Sequence, residues 1–261
     1  MDLKLNDKSV VVLASGSGIG KGVAFEFAKE NANVMMVGRT KEKLQKTRDE
    51  IFQKTGNKPS YFTADITHDD QIQAAIEKAR ELNGPIYALF NNTGGPTPGN
   101  FEDFNDDDWY QAFNLTLLSY IRAIRCVLPD MKKSGGRIVN NTSSSIKQAI
   151  DNLLFSNVFR NGIVGLTKSL AKEFGQYNIL VNVVGAGKIS TERVNQIDTI
   201  KANKKNIPLK KYQDDNASAI PLKRYGEPQE LGKLVTFLSS EVNTYITGQN
   251  ILVEGGMVSA Y

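Results

Sequence analysis

One cysteine and one histidine are all that 261 residues contain of either type. Cys126 therefore has no partner for an internal disulfide, which suits a reducing compartment. A zinc site of the His/Cys kind is unavailable, and His68 sits in a polar Thr-His-Asp-Asp stretch that reads as a solvated turn. Long apolar runs are missing too. None approaches the ~20 residues of a membrane span, and Met1–Lys8 carries no apolar leader. Charge of one sign is also absent, because Lys+Arg 32 stand against Asp+Glu 28 for a net +4. The basic residues are interleaved with acidic ones, without the compact stripe and aromatics that would call for nucleic acid. No linker, repeat or low-complexity segment divides the chain. The expectation is one domain over residues 1–261, large enough for a full core, cytoplasmic and not membrane-bound.

What is present begins at Val10. Val10–Leu13 is a β-branched apolar run of the kind that forms a strand buried on both faces. Ala14-Ser15-Gly16-Ser17-Gly18-Ile19-Gly20 interrupts it. A helical pattern with Val23, Phe27 and Ala28 on one side follows, and a second strand is predicted at Val34–Val37. This is a βαβ unit with a right-handed crossover. Its glycines let backbone approach a phosphate at the helix N-terminus, where free N–H groups and the dipole favour an anion. The spelling is Ala14-x-x-x-Gly18-x-Gly20, not G-x-G-x-x-G, since Lys21 and Val23 stand where a third glycine would fall. At the end of the second strand Gly38 occupies the place of the acid that binds a ribose 2′-hydroxyl. Arg39 follows it, which favours NADP(H) over NAD(H). Lys41 and Lys43 add positive potential there, although a charged, solvent-facing helix over 40–53 would also account for them.

Further strands are predicted at Tyr61–Ala64, Ile86–Phe90, Gly135–Asn140, Leu180–Val184 and Asn250–Val253, with helical patterns between most of them. Several strand ends carry polar clusters: Asp65-Ile66, Asn91-Asn92-Thr93-Gly94, Asn141-Thr142-Ser143-Ser144-Ser145 and Gly185-Ala186-Gly187-Lys188-Ile189-Ser190-Thr191. Ligands of open α/β sheets bind beyond the carboxyl ends of strands, so these clusters should face one site. Trp109–Leu128 reads as one long helix, carrying Asn114 near its start.

These motifs resemble the short-chain dehydrogenase/reductase family over nearly the whole chain. The resemblance implies a single doubly wound Rossmann domain of class α/β, with a mostly parallel seven-stranded sheet and helices on both faces. It implies that Ala14 to Gly20 hold the NADP(H) pyrophosphate, with Asp65 and Ile66 beside the adenine. Asn92 and Gly94 would flank the cofactor, and Ile189 and Thr191 would meet its nicotinamide end. Asn114 matches the family's catalytic asparagine, although a structural hydrogen bond is an equal account of it. Ser143 matches the serine that hydrogen-bonds the substrate oxygen. Residues 192–220 match the variable substrate lid, here rich in lysine. Family surfaces at Asn157–Phe174 and Gly255–Tyr261 imply a homotetramer or a dimer.

The resemblance breaks where the family has Tyr-x-x-x-Lys. Ser156 and Arg160 stand at those positions, one helical turn apart on a common face. Arg160 can bond ribose hydroxyls but donates no proton at neutral pH, and Ser156 is a far weaker acid than tyrosine. Lys147, four residues after Ser143, is the candidate replacement acid if it is poorly solvated and close to Arg160; otherwise it is an exposed loop lysine. Two functions follow. One is an NADP(H)-dependent oxidoreductase of carbonyl or alcohol substrates, possible substrates including small molecules and 3-oxoacyl thioesters. The other is a catalytically impaired NADP(H)-binding partner subunit or redox sensor.

Overall fold

The computed structural model describes residues 1–260. Tyr261, the last residue of the expected association segment Gly255–Tyr261, lies outside the described residues. Seven strands form one parallel sheet in the order β3-β2-β1-β4-β5-β6-β7. They are β1 (Ser9–Val12), β2 (Asn33–Gly38), β3 (Ser60–Thr63), β4 (Ile86–Asn91), β5 (Gly136–Ser143), β6 (Ile179–Ala186) and β7 (Asn250–Val253). The strand order reverses between β1 and β4, so a crevice opens beyond their carboxyl ends. The seven-stranded, doubly wound expectation holds.

Alternation along the strands sorts the helices between two faces. Val10 and Val12 of β1 pack with α1 (Gly18–Lys29), α2 (Lys41–Thr55) and α9 (Pro228–Leu238). Val11 and Leu13 face α3 (Asp69–Asn83), α5 (Ser119–Ser134) and α6 (Leu154–Phe174). Both sides of the central strand are fully covered, which is why Val10–Leu13 reads as continuously apolar. On the first face α1 and α9 meet backbone to backbone. A Cβ on Gly22 would come within 2.6 Å of Pro228, and one on Gly232 within 2.8 Å of the Gly22 carbonyl oxygen.

The expected long helix from Trp109 is in fact α4 (Asp106–Phe113), a single π-helical turn over Asn114–Leu118, and then α5. Asn105 caps its start, accepting from the Asp108 N–H at 3.1 Å. The helix does not stop at Leu128 but continues through Pro129 to Ser134. Arg80 of α3 donates to the Cys126 carbonyl and pairs with Asp130 at 2.7 Å, tying down the helix on both sides of the proline. The lid is helical, formed by α7 (Glu192–Lys204) and α8 (Leu209–Ser218). Among the described residues, no helix is long and apolar enough to cross a membrane.

Candidate functional site

The turn after β1 is held from three sides. The Ser15 N–H and hydroxyl both donate to the Val37 carbonyl, at 3.0 and 3.2 Å. The Thr47 hydroxyl of α2 donates to the Gly16 carbonyl at 3.0 Å. The Asn92 amide, just past β4, donates to the Ala14 carbonyl at 3.4 Å. A Cβ at Gly20 would lie 2.3 Å from that same carbonyl oxygen, so only glycine lets the helix start this close to the strand. Ala14 itself adopts φ 48, the left-handed conformation that glycine normally supplies.

α1 begins without a side-chain cap. The Ser17 hydroxyl bonds none of its N–H groups, and no acid stands in its first turn. Its leading donors are therefore free for an anion, as the dipole favours. A Cβ on Gly18 would fall 3.2 Å from the Thr191 methyl group, so the narrow gap between turn and lid also depends on glycine. This cradle fits the pyrophosphate of a dinucleotide. Beside it Arg39 is exposed at the end of β2. The Asp65 carboxyl lies below its usual range: burial raises it, but hydrogen bonds from the Thr67 N–H and hydroxyl, with the Arg39 charge, outweigh that. Ile66 is buried, while Gly94 is exposed on the loop after β4.

An asparagine ladder ties the strand ends together. Asn141 of β5 donates to the Asn92 side-chain oxygen at 2.8 Å, continuing the line from Ala14. One residue back, Asn91 donates to Asn140 at 2.8 Å, and Asn140 to the Thr167 hydroxyl of α6 at 2.9 Å. Both rungs lie in the core, where an amide needs such partners.

Ser143 ends β5, and its hydroxyl accepts from the Ser145 N–H at 3.2 Å. The Ser145 hydroxyl in turn lies 3.1 Å from that of Ser156, which is buried. The Ser145 and Ser156 hydroxyls are thus paired, while the Ser143 hydroxyl is held by the Ser145 backbone N–H. Arg160, also buried, donates to the Asn141 carbonyl at 3.0 Å. That carbonyl also accepts from the Tyr120 hydroxyl at 3.0 Å. Burial pushes the Tyr120 phenol up to about 12, with the Arg160 guanidinium opposing the rise. Tyr120 is therefore a closed-off structural donor rather than an acid facing the cleft.

For two expected residues the sequence left two accounts open. Lys147 is exposed on the turn after β5, so the poor solvation invoked for it does not hold. The Asn114 amide donates to the Thr67 carbonyl at 3.1 Å and its oxygen accepts from Arg122 at 2.7 Å. The π-turn faces this side chain toward the β3–α3 connection, fulfilling the structural-bond account.

The lid region joins Thr191 and Lys188 to residues that the sequence reading passed over, among them Glu192 and Arg193. Thr191 caps α7, accepting from the Val194 N–H at 3.2 Å. Lid residue Glu192 pairs with Lys43 at 2.7 Å. Arg193 lies across Gly95 and donates to the Pro96 carbonyl at 3.3 Å. Lys188, half-buried between the rings of Tyr212 and Tyr225, donates to Asn216 at 2.7 Å. Desolvation holds the Lys188 ammonium below its ordinary range. Tyr225 donates to buried Asp198 at 2.9 Å, which with burial raises its phenol. Cap positions carry the one sequence signal for Arg193: a threonine before a helical run places the next two side chains on the first turn, at the cleft.

Similarity to known proteins accompanies this geometry. A family model described as Enoyl-(Acyl carrier protein) reductase matches residues 13–258. Oxidoreductase UcpA of Salmonella typhimurium is 32% identical over 255 residues, covering 97% of this chain and 95% of that protein. The 3-oxoacyl-[acyl-carrier-protein] reductase FabG of Chlamydia muridarum is 31% identical over 258 residues, 98% of this chain and all of its own. The crystal structure of L-sorbose reductase from Gluconobacter frateurii, complexed with NADPH and L-sorbose, superposes with a TM-score of 0.95. Its sequence is 28% identical, with 100% of both chains covered.

Proposed function

The chain belongs to the short-chain dehydrogenase/reductase family, and from that premise we propose that it is an NADP(H)-dependent oxidoreductase of carbonyl or alcohol substrates with an altered proton-delivery site. The observation that carries this reading is the uncapped start of α1 beside the glycine turn, at the crevice where the sheet order reverses. When bound, NADP(H) supplies or accepts a hydride. The residues from Ala14 to Gly20 would hold its pyrophosphate, and Arg39 its 2′-phosphate. Asp65, Ile66, Asn92, Gly94, Ile189 and Thr191 would line its length. NADPH in the L-sorbose reductase complex supports the choice of cofactor.

Ser143 would orient a substrate oxygen at the end of β5. Arg160 would bond the nicotinamide ribose with donors left over from Asn141. The Ser156 hydroxyl, 3.1 Å from that of Ser145, would stand in place of the phenol as a hydrogen-bond donor to the substrate or to a water. General acid catalysis typically contributes ~10²–10⁴ in rate, so turnover of simple ketones should be slow. Among the described residues no acidic side chain or cleft-facing phenol stands at this cluster, which also supports a second reading, a non-catalytic NADP(H)-binding subunit or sensor. The outer side of α6 is proposed to join copies of the chain into a dimer or tetramer.

Cofactor titration followed by single-turnover assay separates the readings. NADPH should bind more tightly than NADH, and Arg39→Ala should narrow the gap. Equal affinities in the parent protein would refute the 2′-phosphate assignment. Hydride transfer to any carbonyl in a panel of ketones, sugars and acyl thioesters supports the oxidoreductase; tight NADPH binding with none supports the sensor.

A further inference from the structure

Two arginines are equally buried in this fold, yet only one is fully used. Arg137 is 4% exposed and donates to four backbone carbonyls, those of Gly136, Asn178, Ser240 and Asn243. Arg160 is 5% exposed and donates to one, that of Asn141. A guanidinium carries five N–H donors, and a buried one left so sparsely bonded is costly. Neither Arg160 nor Arg193 is in an ion pair among the described residues.

The two are brought to the same end of the sheet. Arg160 reaches Asn141, whose side chain bonds Asn92; Arg193 covers Gly95 and Pro96 on the same loop. Desolvation, with the Arg160 charge next in weight, depresses the Arg193 guanidinium. Lys188 adds a third cation at the exit of β6. Its nearest acid, Asp198, is already bonded by the Tyr225 hydroxyl. Glu192, on the first turn of α7, is turned outward onto Lys43. Glu254, beside Gly187, accepts from the Gly256 and Val258 N–H groups, and Glu230 is taken by Arg224. Ribose hydroxyls can accept hydrogen bonds from Arg160 but cannot neutralise it, so positive charge remains at the substrate end of the cleft after cofactor binding.

We propose that the site takes a substrate bearing a carboxylate, gripped by Arg193 from the lid with Arg160 supplying the second positive charge beneath it. Guanidinium and carboxylate match in planar, bidentate geometry, and Arg193 stands on the first turn of α7, where a small lid movement brings it onto a ligand. The inference rests on the oxidoreductase reading, because it places the substrate next to the cofactor's reactive end.

The test uses the full chain loaded with NADPH, after its NADPH affinity has been measured; failure at that first step counts against the cofactor reading alone. Matched pairs differing only in a carboxylate and a hydroxymethyl group are then titrated by calorimetry at constant ionic strength, with and without NADPH: gluconate and glucitol, lactate and propane-1,2-diol, benzoate and benzyl alcohol. At least one carboxylate should bind ~10-fold or more tightly than its alcohol. Arg193→Ala should cut that preference ~10-fold, and Arg193→Lys should restore part of it. Arg193 is on the exposed lid, so folding of these variants is checked by circular dichroism. No preference for any carboxylate, or a preference that survives Arg193→Ala, overturns the proposal. So does a result in which Arg193→Ala weakens only NADPH, which would give the cation to a cofactor phosphate.

Discussion

Ala14 is the most economical place to see a single residue under tension. Its φ of 48 belongs to the left-handed region, where a Cβ costs ~1–2 kcal/mol, and its carbonyl is pinned by Asn92 while abutting Gly20. Ala14→Gly should remove that strain and lose part of the gain to the more flexible unfolded chain, for a net stabilisation of about 1 kcal/mol. Thermal unfolding should then shift upward by ~2–4 °C, and an unchanged or lower midpoint would show the strain to be absent. The spelling Ala14-x-x-x-Gly18-x-Gly20 was readable in the sequence; that Ala14 takes a left-handed, glycine-like conformation was not, because φ depends on the strand and helix that the turn must join. Arg193 escaped notice for a related reason. Its meaning lies in the loop that it covers, about a hundred residues away in the chain.

At the scale of elements, periodicity located every strand, and the central ones most plainly because both their faces are buried, whereas the lid helices α7 and α8 read only as a lysine-rich lid. The π-turn at Asn114 and the passage of α5 through Pro129 were illegible, as both depend on partners from α3 and its preceding loop. α9 shows how one helix start is secured. Glu230 accepts both guanidinium branches of Arg224 at 2.7 Å and the Glu227 N–H at 2.8 Å. Arg224 first, then that N–H, lower its carboxyl from 4.5 to about 2. A carboxyl acidified by folding stabilises fully above the unfolded value of 4.5, and the contribution fades as the pH falls to about 2. Acid unfolding should therefore be less steep between those limits in Glu230→Gln, which should also melt lower than the parent at pH 7. Solvent screening keeps the effect small, and identical acid profiles would show the pair to be idle.

For the molecule as a whole, the doubly wound order was available from the sequence because its βαβ rhythm and strand-end motifs run unbroken, whereas the number of copies that associate was not. The outer side of α6 presents exposed Val158, Gly162, Gly165 and Ser169, small enough for a second helix to approach closely. If it is an interface closed by twofold symmetry, light scattering at micromolar concentration should give a dimer or tetramer, and Gly165→Glu should shift it toward monomer. A monomeric parent protein would refute this. The glycine contact between α1 and α9 has its own consequence in time. The helix that covers α1 begins at Pro228, roughly 200 residues later in the chain. At about 5–20 residues per second, translation leaves Val23 and Phe27 without that cover for roughly 10–40 s. A nascent chain thus carries its nucleotide-facing helix as sticky, unfinished surface until Pro228–Leu238 has been made, and chaperones have that interval in which to hold it.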